Sequence, residues 1–118
     1  MNQHCYESMN RFSKMANRLF ESQAAMLRVM AHPVRLAILF ALRERSRSVG
    51  DISAILEMTQ PNVSQHLSVL RREGLISYNE DGQKRNYFIR SPESVGPLLD
   101  VLLDKCGADN KQAIFWNS

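Results

Sequence analysis

Only two cysteines occur among the 118 residues, Cys5 and Cys106, at opposite ends of the chain. That excludes the multi-disulfide framework of small secreted domains and fits a compartment where thiols stay reduced. No apolar run approaches the ~20 residues of a membrane-crossing helix. The stretch from Met1 to Met15 is polar and mixed, without a signal-peptide pattern. The expectation is a cytoplasmic protein with no membrane partner. Internal repeats and low-complexity segments are absent too. So are the makings of an enzyme. The three histidines, His4, His32 and His66, fall on separate segments, and no nucleophile–base pair or phosphate-binding glycine loop occurs.

What is present is a modest apolar content of 44% and a mildly basic balance, net charge +3 with a pI near 9.1. A chain of this length builds one small core and often gains stability by dimerising. Eleven of the fifteen basic residues are arginine, the side chain better suited to bidentate recognition. The charge is compatible with a nucleic-acid partner without requiring one.

The chain is expected to divide into a loose N-terminal arm, residues 1–8, a folded unit, 9–106, and a polar tail, 107–118, that carries the apolar cluster Ile114-Phe115-Trp116. From Met9 to Ala31, Phe12, Met15, Leu19, Met26, Val29 and Met30 recur near a helical period. A methionine-rich stripe packs adaptably, which favours a partner surface. His32-Pro33 breaks this helix and starts the next. The nearly all-apolar run Val34 to Leu42 is the expected core helix. Arg43 to Arg47 reads as a charged loop. Ser48-Val49-Gly50-Asp51 is a capping-box signature opening a short helix with Ile52, Ile55 and Leu56.

After a turn at Glu57-Met58, Thr59 caps a helix from Gln60 to about Glu73, with Pro61 in its first turn. Val63, Leu67 and Leu70 form one narrow apolar stripe, opposite Gln65, Ser68 and Arg72, with Asn62 and Ser64 on the flanks. A free face of Gln, Asn, Ser and Arg carries groups that bond base edges and phosphates. A plain solvated helix would more often show Glu/Lys pairs four apart. Two short helices joined tightly in this way are a helix-turn-helix. Gly74 closes the second helix. A hairpin follows, turning at Glu80-Asp81-Gly82-Gln83, with Lys84 and Arg85 near its tip. Pro97 is expected to start the main part of a last helix, where Val95, Leu98, Leu99, Leu102 and Cys106 share a face too apolar to stand alone in water. The expected fold is mainly α with a two-stranded β-hairpin wing.

The order of elements resembles the winged-helix ArsR/SmtB repressors from about Met26 to Cys106. The most specific parts are Leu27 to Leu39, Ser48 to Ile52 and Gln60 to Arg71. The resemblance implies a homodimer, joined through its first and last helices, that binds an imperfect palindrome in double-stranded DNA and leaves it when an inducer binds. A two-fold dimer would present two recognition helices to major grooves about 34 Å apart. Gln65, Asn62, Ser64 and Ser68, with Gln60 beside them, are the candidate base readers. Arg71, Arg72, Lys84, Arg85 and also Arg47 are candidates for phosphates. Val69 could meet a thymine methyl, and His66 should be half-packed.

The inducer is less legible. Metal-sensing relatives carry a Cys-Val-Cys or Cys-Val-Gly run where this chain has Ser48-Val49-Gly50, and the last helix offers Ser91, Glu93 and Asp104 without histidine. Cys106 matches the position of a thiol in the family's persulfide- and redox-sensing repressors. Their partner cysteine is replaced here by Phe40, which leaves Cys5 as the alternative. Three readings stay open: a disulfide or polysulfide bridge between Cys5 and Cys106, a soft metal ion or arsenite at the same thiols, or cysteines without a signalling role. A winged-helix protein-interaction module that does not bind DNA is the remaining alternative from another class.

Overall fold

The computed structural model describes the backbone of residues 3–106 and the side chains of residues 14 and 16–104. The elements are α1 (Gln3–Met30), α2 (Pro33–Glu44), β1 (Arg47–Ser48), α3 (Val49–Leu56), α4 (Gln60–Arg72), β2 (Ile76–Asp81), β3 (Lys84–Ile89) and α5 (Pro92–Cys106). The fold is mainly helical with a hairpin wing, as expected, but its ends differ from the sequence reading. Helix α1 begins at Gln3, so residues 3–8 are helical rather than a loose arm. Helix α5 begins at Pro92, not at Pro97. The Ser94 and Val95 N–H groups donate to the Ser91 carbonyl at 3.0 and 2.9 Å, which closes the first turn upstream of Pro97. The tail and its Ile114 to Trp116 cluster lie outside the described residues.

Local signals explain where the helices start and stop. His32 sits in extended geometry, and its Nδ1 accepts from the Val34 N–H at 3.1 Å, with Pro33 next to it pre-set for a helix. Ser48 and Asp51 complete the capping box at α3. The turn after α3 lacks glycine, and Glu57 takes the left-handed conformation instead, with φ 54°. Its N–H and that of Met58 both donate to the Ser53 carbonyl, which holds a geometry that side chains otherwise avoid. Gly74 takes φ 83° after α4, and the Leu75 N–H reaches back to the Leu70 carbonyl at 3.1 Å.

The sheet has three strands in the order β1-β3-β2, not two. Strands β2 and β3 pair antiparallel from Ile76↔Ile89 to Asp81↔Lys84 across a two-residue turn, with Gly82 at φ 65°. The short β1 adds Arg47↔Tyr87 and Ser48↔Asn86. Arg47 is therefore not a free phosphate contact. It is 5% exposed, and its Nε donates to the Ala41 carbonyl at 2.9 Å. Arg43, read from the sequence as part of the charged loop, instead lies in the last turn of α2 and also has a fixed place. It forms a two-pronged pair with Asp100 of α5, at 2.6 and 2.7 Å, and also donates to the Gly96 carbonyl, tying α5 to α2.

One core joins the five helices and the hairpin strands β2 and β3. Ile38 and Leu39 of α2, Ile52 of α3, Leu67 and Leu70 of α4 and Leu99 of α5 are almost completely buried in it. The hydroxyl of Ser53, also buried, has no hydrogen-bond partner among the described residues. Ser53→Ala is thus expected to hold or raise the thermal midpoint, a gain of up to about 1 kcal/mol. A clear fall in a melting curve would show that the hydroxyl is bonded after all.

Candidate nucleic-acid interface

Helix α4 separates its two faces cleanly. Val63, Leu67 and Leu70 point into the core. Gln60, Asn62, Gln65, Ser68, Arg71 and Arg72 are exposed, and Ser64 is half-buried. Thr59 caps the helix, its hydroxyl accepting from the Asn62 N–H at 3.4 Å, so the polar end of α4 is held in register. Val69 is half-buried, at the margin of the outer face. The stripe read from the sequence and the exposed face of the helix coincide.

The wing comes to the same side. Tyr78 of β2 lies between two guanidinium groups, Arg71 of α4 at 4.9 Å from its ring centroid and Arg85 of β3 at 4.4 Å. This aromatic bridge orients a cation from each element and was not read from the sequence. A cleft of about 400 Å³ separates the wing tip from the start of α3 and α4. Gly50, Asp51, Gln60, Gln83, Lys84 and Arg85 are among the residues that line it. The Asp51 carboxyl there is held below the usual carboxylate range, chiefly by the Ser48 backbone N–H it accepts from.

The wing tip is less basic than Lys84 and Arg85 alone imply. Across the ladder Lys84 faces Asp81 and Arg85 faces Glu80, with 3.9 Å between the Arg85 Nε and the Glu80 carboxylate. A phosphate would have to compete with these acids. The charge of Arg85 is reinforced, its pKa raised first by a hydrogen bond with Tyr87 and then by Tyr78. The structure thus gathers all nine candidate DNA contacts on α4 and the wing and removes Arg47 from the set. It also adds Tyr78, whose only sequence signal was an aromatic in the strand beside a basic helix end.

His66 is half-buried, as expected, and takes part in a polar cluster that the sequence did not reveal. Its Nδ1 accepts from the Arg35 Nε at 3.4 Å, and its ring lies 4.7 Å from that of His32. The side chains of Cys5 and Cys106 lie outside the described residues. Among the described residues, no group of three or more His, Cys, Asp and Glu side chains could hold a metal ion. No single described helix is long and apolar enough to cross a membrane.

Another surface stands apart from α4. Leu19, Phe20 and Leu27 of α1 are 57%, 53% and 50% exposed, and Val101 of α5 is 54% exposed. A groove of about 300 Å³ near them is lined by Leu27, Met30, Ala31, Leu36, Leu98 and Leu102. The stripes read from the sequence split here. Met30, Val95 and Leu99 turn into the chain's own core, while Leu19 and Leu102 stay outside with Phe20, Leu27 and Val101.

Comparison with known proteins agrees with this geometry. The pattern for "Bacterial regulatory protein, arsR family" matches residues 32–78. The uncharacterized HTH-type transcriptional regulator Rv0081 of Mycobacterium tuberculosis is 40% identical over 84 residues, 70% of this chain and 73% of that protein. The transcriptional activator HlyU of Vibrio cholerae is 41% identical over 77 residues, 65% of this chain and 70% of that one. A solved structure from Mycobacterium bovis, Mb0332, is described as a homodimeric winged helix-turn-helix DNA-binding domain. It matches with a TM-score of 0.68 at 26% identity, over 80% of this chain and 85% of the other. The stretch matched by the family pattern runs from the cap of α2 into β2 and so contains the entire helix-turn-helix. The chain belongs to the arsR family of bacterial regulatory proteins and is a winged helix-turn-helix transcriptional regulator, not an enzyme.

Proposed function

We propose that this regulator is a repressor that binds a two-fold symmetric operator as a homodimer and is released by an inducer. The observation that carries the reading is the division of α4: an apolar face locked in the core and an exposed Gln, Asn, Ser and Arg face beside the wing. Gln60, Asn62, Ser64, Gln65 and Ser68 would read base edges in the major groove, Gln65 and Asn62 pairing best with adenine. Arg71, Arg72, Lys84 and Arg85 would fix the register on phosphates.

The decisive measurement is a gel shift with duplex DNA from upstream of its own gene, at several salt concentrations. Gln65→Ala is expected to lose about 1–3 kcal/mol on the operator and to relax its specificity. Lys84→Ala should weaken binding to all sequences and flatten the salt dependence by about one ion. Absence of salt-dependent binding to any duplex would favour the protein-interaction module instead.

For the inducer, the reading rests on the two thiols and not on any described contact. Cys5 and Cys106 would form a disulfide or polysulfide bridge that shifts the dimer off DNA. The same thiols would be the seat of a soft metal ion or arsenite, if one is the signal. Operator release by polysulfide, peroxide, arsenite and zinc, compared with the Cys5→Ser/Cys106→Ser double variant, separates these. A double variant that responds normally removes both thiol readings.

A further inference from the structure

The recognition helix has one polar attachment to the body of the protein that its DNA-facing side chains do not explain. His66 lies on α4 near the core side, half-buried. It meets the corner where α1 ends and α2 begins. Arg35 of α2 donates through Nε to the His66 Nδ1 at 3.4 Å and through a second guanidinium nitrogen to the Val29 carbonyl at 2.8 Å. Val29 lies in the last turn of α1, where backbone carbonyls lack intrahelical partners. His32, the cap of α2, places its ring 4.7 Å from the His66 ring, tilted by 46°. One arginine thus joins the helix proposed to read DNA to the end of the helix that carries the exposed apolar face.

The bond from Arg35 has a chemical condition. Arginine can only donate, so the His66 Nδ1 must carry a lone pair and the ring proton must sit on Nε2. Protonating the ring puts an N–H opposite an N–H and a positive charge beside a guanidinium. The charges facing His66 are Arg35 and, when protonated, His32, both from the α2 side. On α4 itself the adjoining turns carry Asn62, Val63, Val69 and Leu70. From α1 comes the Val29 carbonyl, already taken by Arg35. None of the groups acting on His66 is a carboxylate that could accept an imidazolium.

We propose that Arg35 and His66 form a proton-gated joint that positions the recognition helix against the α1–α2 corner, closed while His66 is neutral and opened when it is protonated. Its consequence for DNA rests on the reading of α4 given above; the joint itself does not. Burial comes first among the causes that hold the His66 pKa below the ordinary 6.5, followed by His32 and Arg35. The unfolded chain therefore binds more protons than the folded one just below pH 6.5. The joint's contribution to stability is complete above that pH and is lost as the pH falls through the lowered value.

Two measurements test this. The first follows the histidine ring nitrogens of the full chain by NMR from pH 8 to pH 5, without DNA. The expected result is a neutral His66 with its proton on Nε2, titrating below 6.5, while the Val29 and Arg35 amides move on the same curve. A proton on Nδ1, or titration at or above the ordinary value, overturns the joint. The second compares binding of duplex DNA from upstream of its own gene at pH 7.5 and at a pH below the His66 midpoint that the first measurement finds, for the unaltered chain and for His66→Gln. Glutamine offers an acceptor oxygen and does not titrate. The unaltered chain should lose between about threefold and tenfold more affinity than the variant on acidification. Equal losses overturn the gating. If the glutamine variant fails to fold, the ring titration of the unaltered chain decides. If no duplex binds at any pH, the DNA reading fails, and the same titration still decides the joint.

Discussion

A chain carrying Leu19→Glu, Phe20→Ser and Leu27→Glu is expected to sediment as a monomer and to bind its operator about a hundred- to ten-thousandfold more weakly than the unaltered protein. The three side chains are half or more exposed and none belongs to the buried core, so their loss leaves the fold's interior in place. Apolar side chains of this size clustered beside an open apolar groove are costly in water and mark a surface that another chain covers. Two linked reading heads bind with an effective concentration that a single head lacks, which sets the size of the loss. Analytical ultracentrifugation and a gel shift on the same samples check it. A triple variant that stays dimeric, or a monomer that binds as tightly, would refute dimerisation through α1 and α5. A dimer would add its own binding energy to the fold, so the variant's melting temperature should also cease to depend on protein concentration.

The second large effect lies on the opposite face of the recognition helix. Leu67→Ala is expected to cost about 2–5 kcal/mol, since the side chain is 1% exposed and removing it leaves a cavity between α4 and the rest of the core. In a domain of this size each kcal/mol lowers the melting temperature by roughly 4–8 °C. Gln65→Ala, two positions away and exposed, should leave the melting curve within about 0.5 kcal/mol. The pair of variants distinguishes the helix's two proposed duties: one side chain keeps it seated, the other would read. A Leu67→Ala protein that melts like the parent would mean that α4 is not held by its apolar stripe.

Features that depend on near neighbours in the chain were legible before any coordinates. The caps at Ser48 and Thr59, the stripe of Val63, Leu67 and Leu70, the hairpin at Gly82 and the stop at Gly74 each rest on residues a turn or two apart, and all of them appear in the structure. Features created by distant partners were not. Arg47 looked like a solvated loop residue because the strand that recruits it, β3, lies forty positions downstream. Arg35 and His66, and likewise Arg43 and Asp100, are joined only once the helices have packed. The apolar stripes of α1 and α5 were visible, but periodicity does not tell a face that meets its own core from one left for another chain. Within the candidate site, the polar face of α4 was readable. Tyr78 between two arginines was not, and the acids opposite Lys84 and Arg85 were visible as residues but not as partners.

The short strand β1 has a mechanical consequence. Its two residues lie between the end of α2 and the cap of α3, yet they hydrogen-bond to β3, the strand that leads away from the wing tip. The hairpin is therefore bolted to the helix-turn-helix at a second point besides the chain connection at Gly74. It cannot swing about that connection without breaking the pairs at Arg47 and Ser48 and pulling a buried guanidinium from the Ala41 carbonyl. Wing and the start of α3 must then travel as one stiff block. A signal that loosens this protein from DNA would then leave the wing where β1 holds it and act elsewhere, on the seat of α4 or on the spacing between two such units.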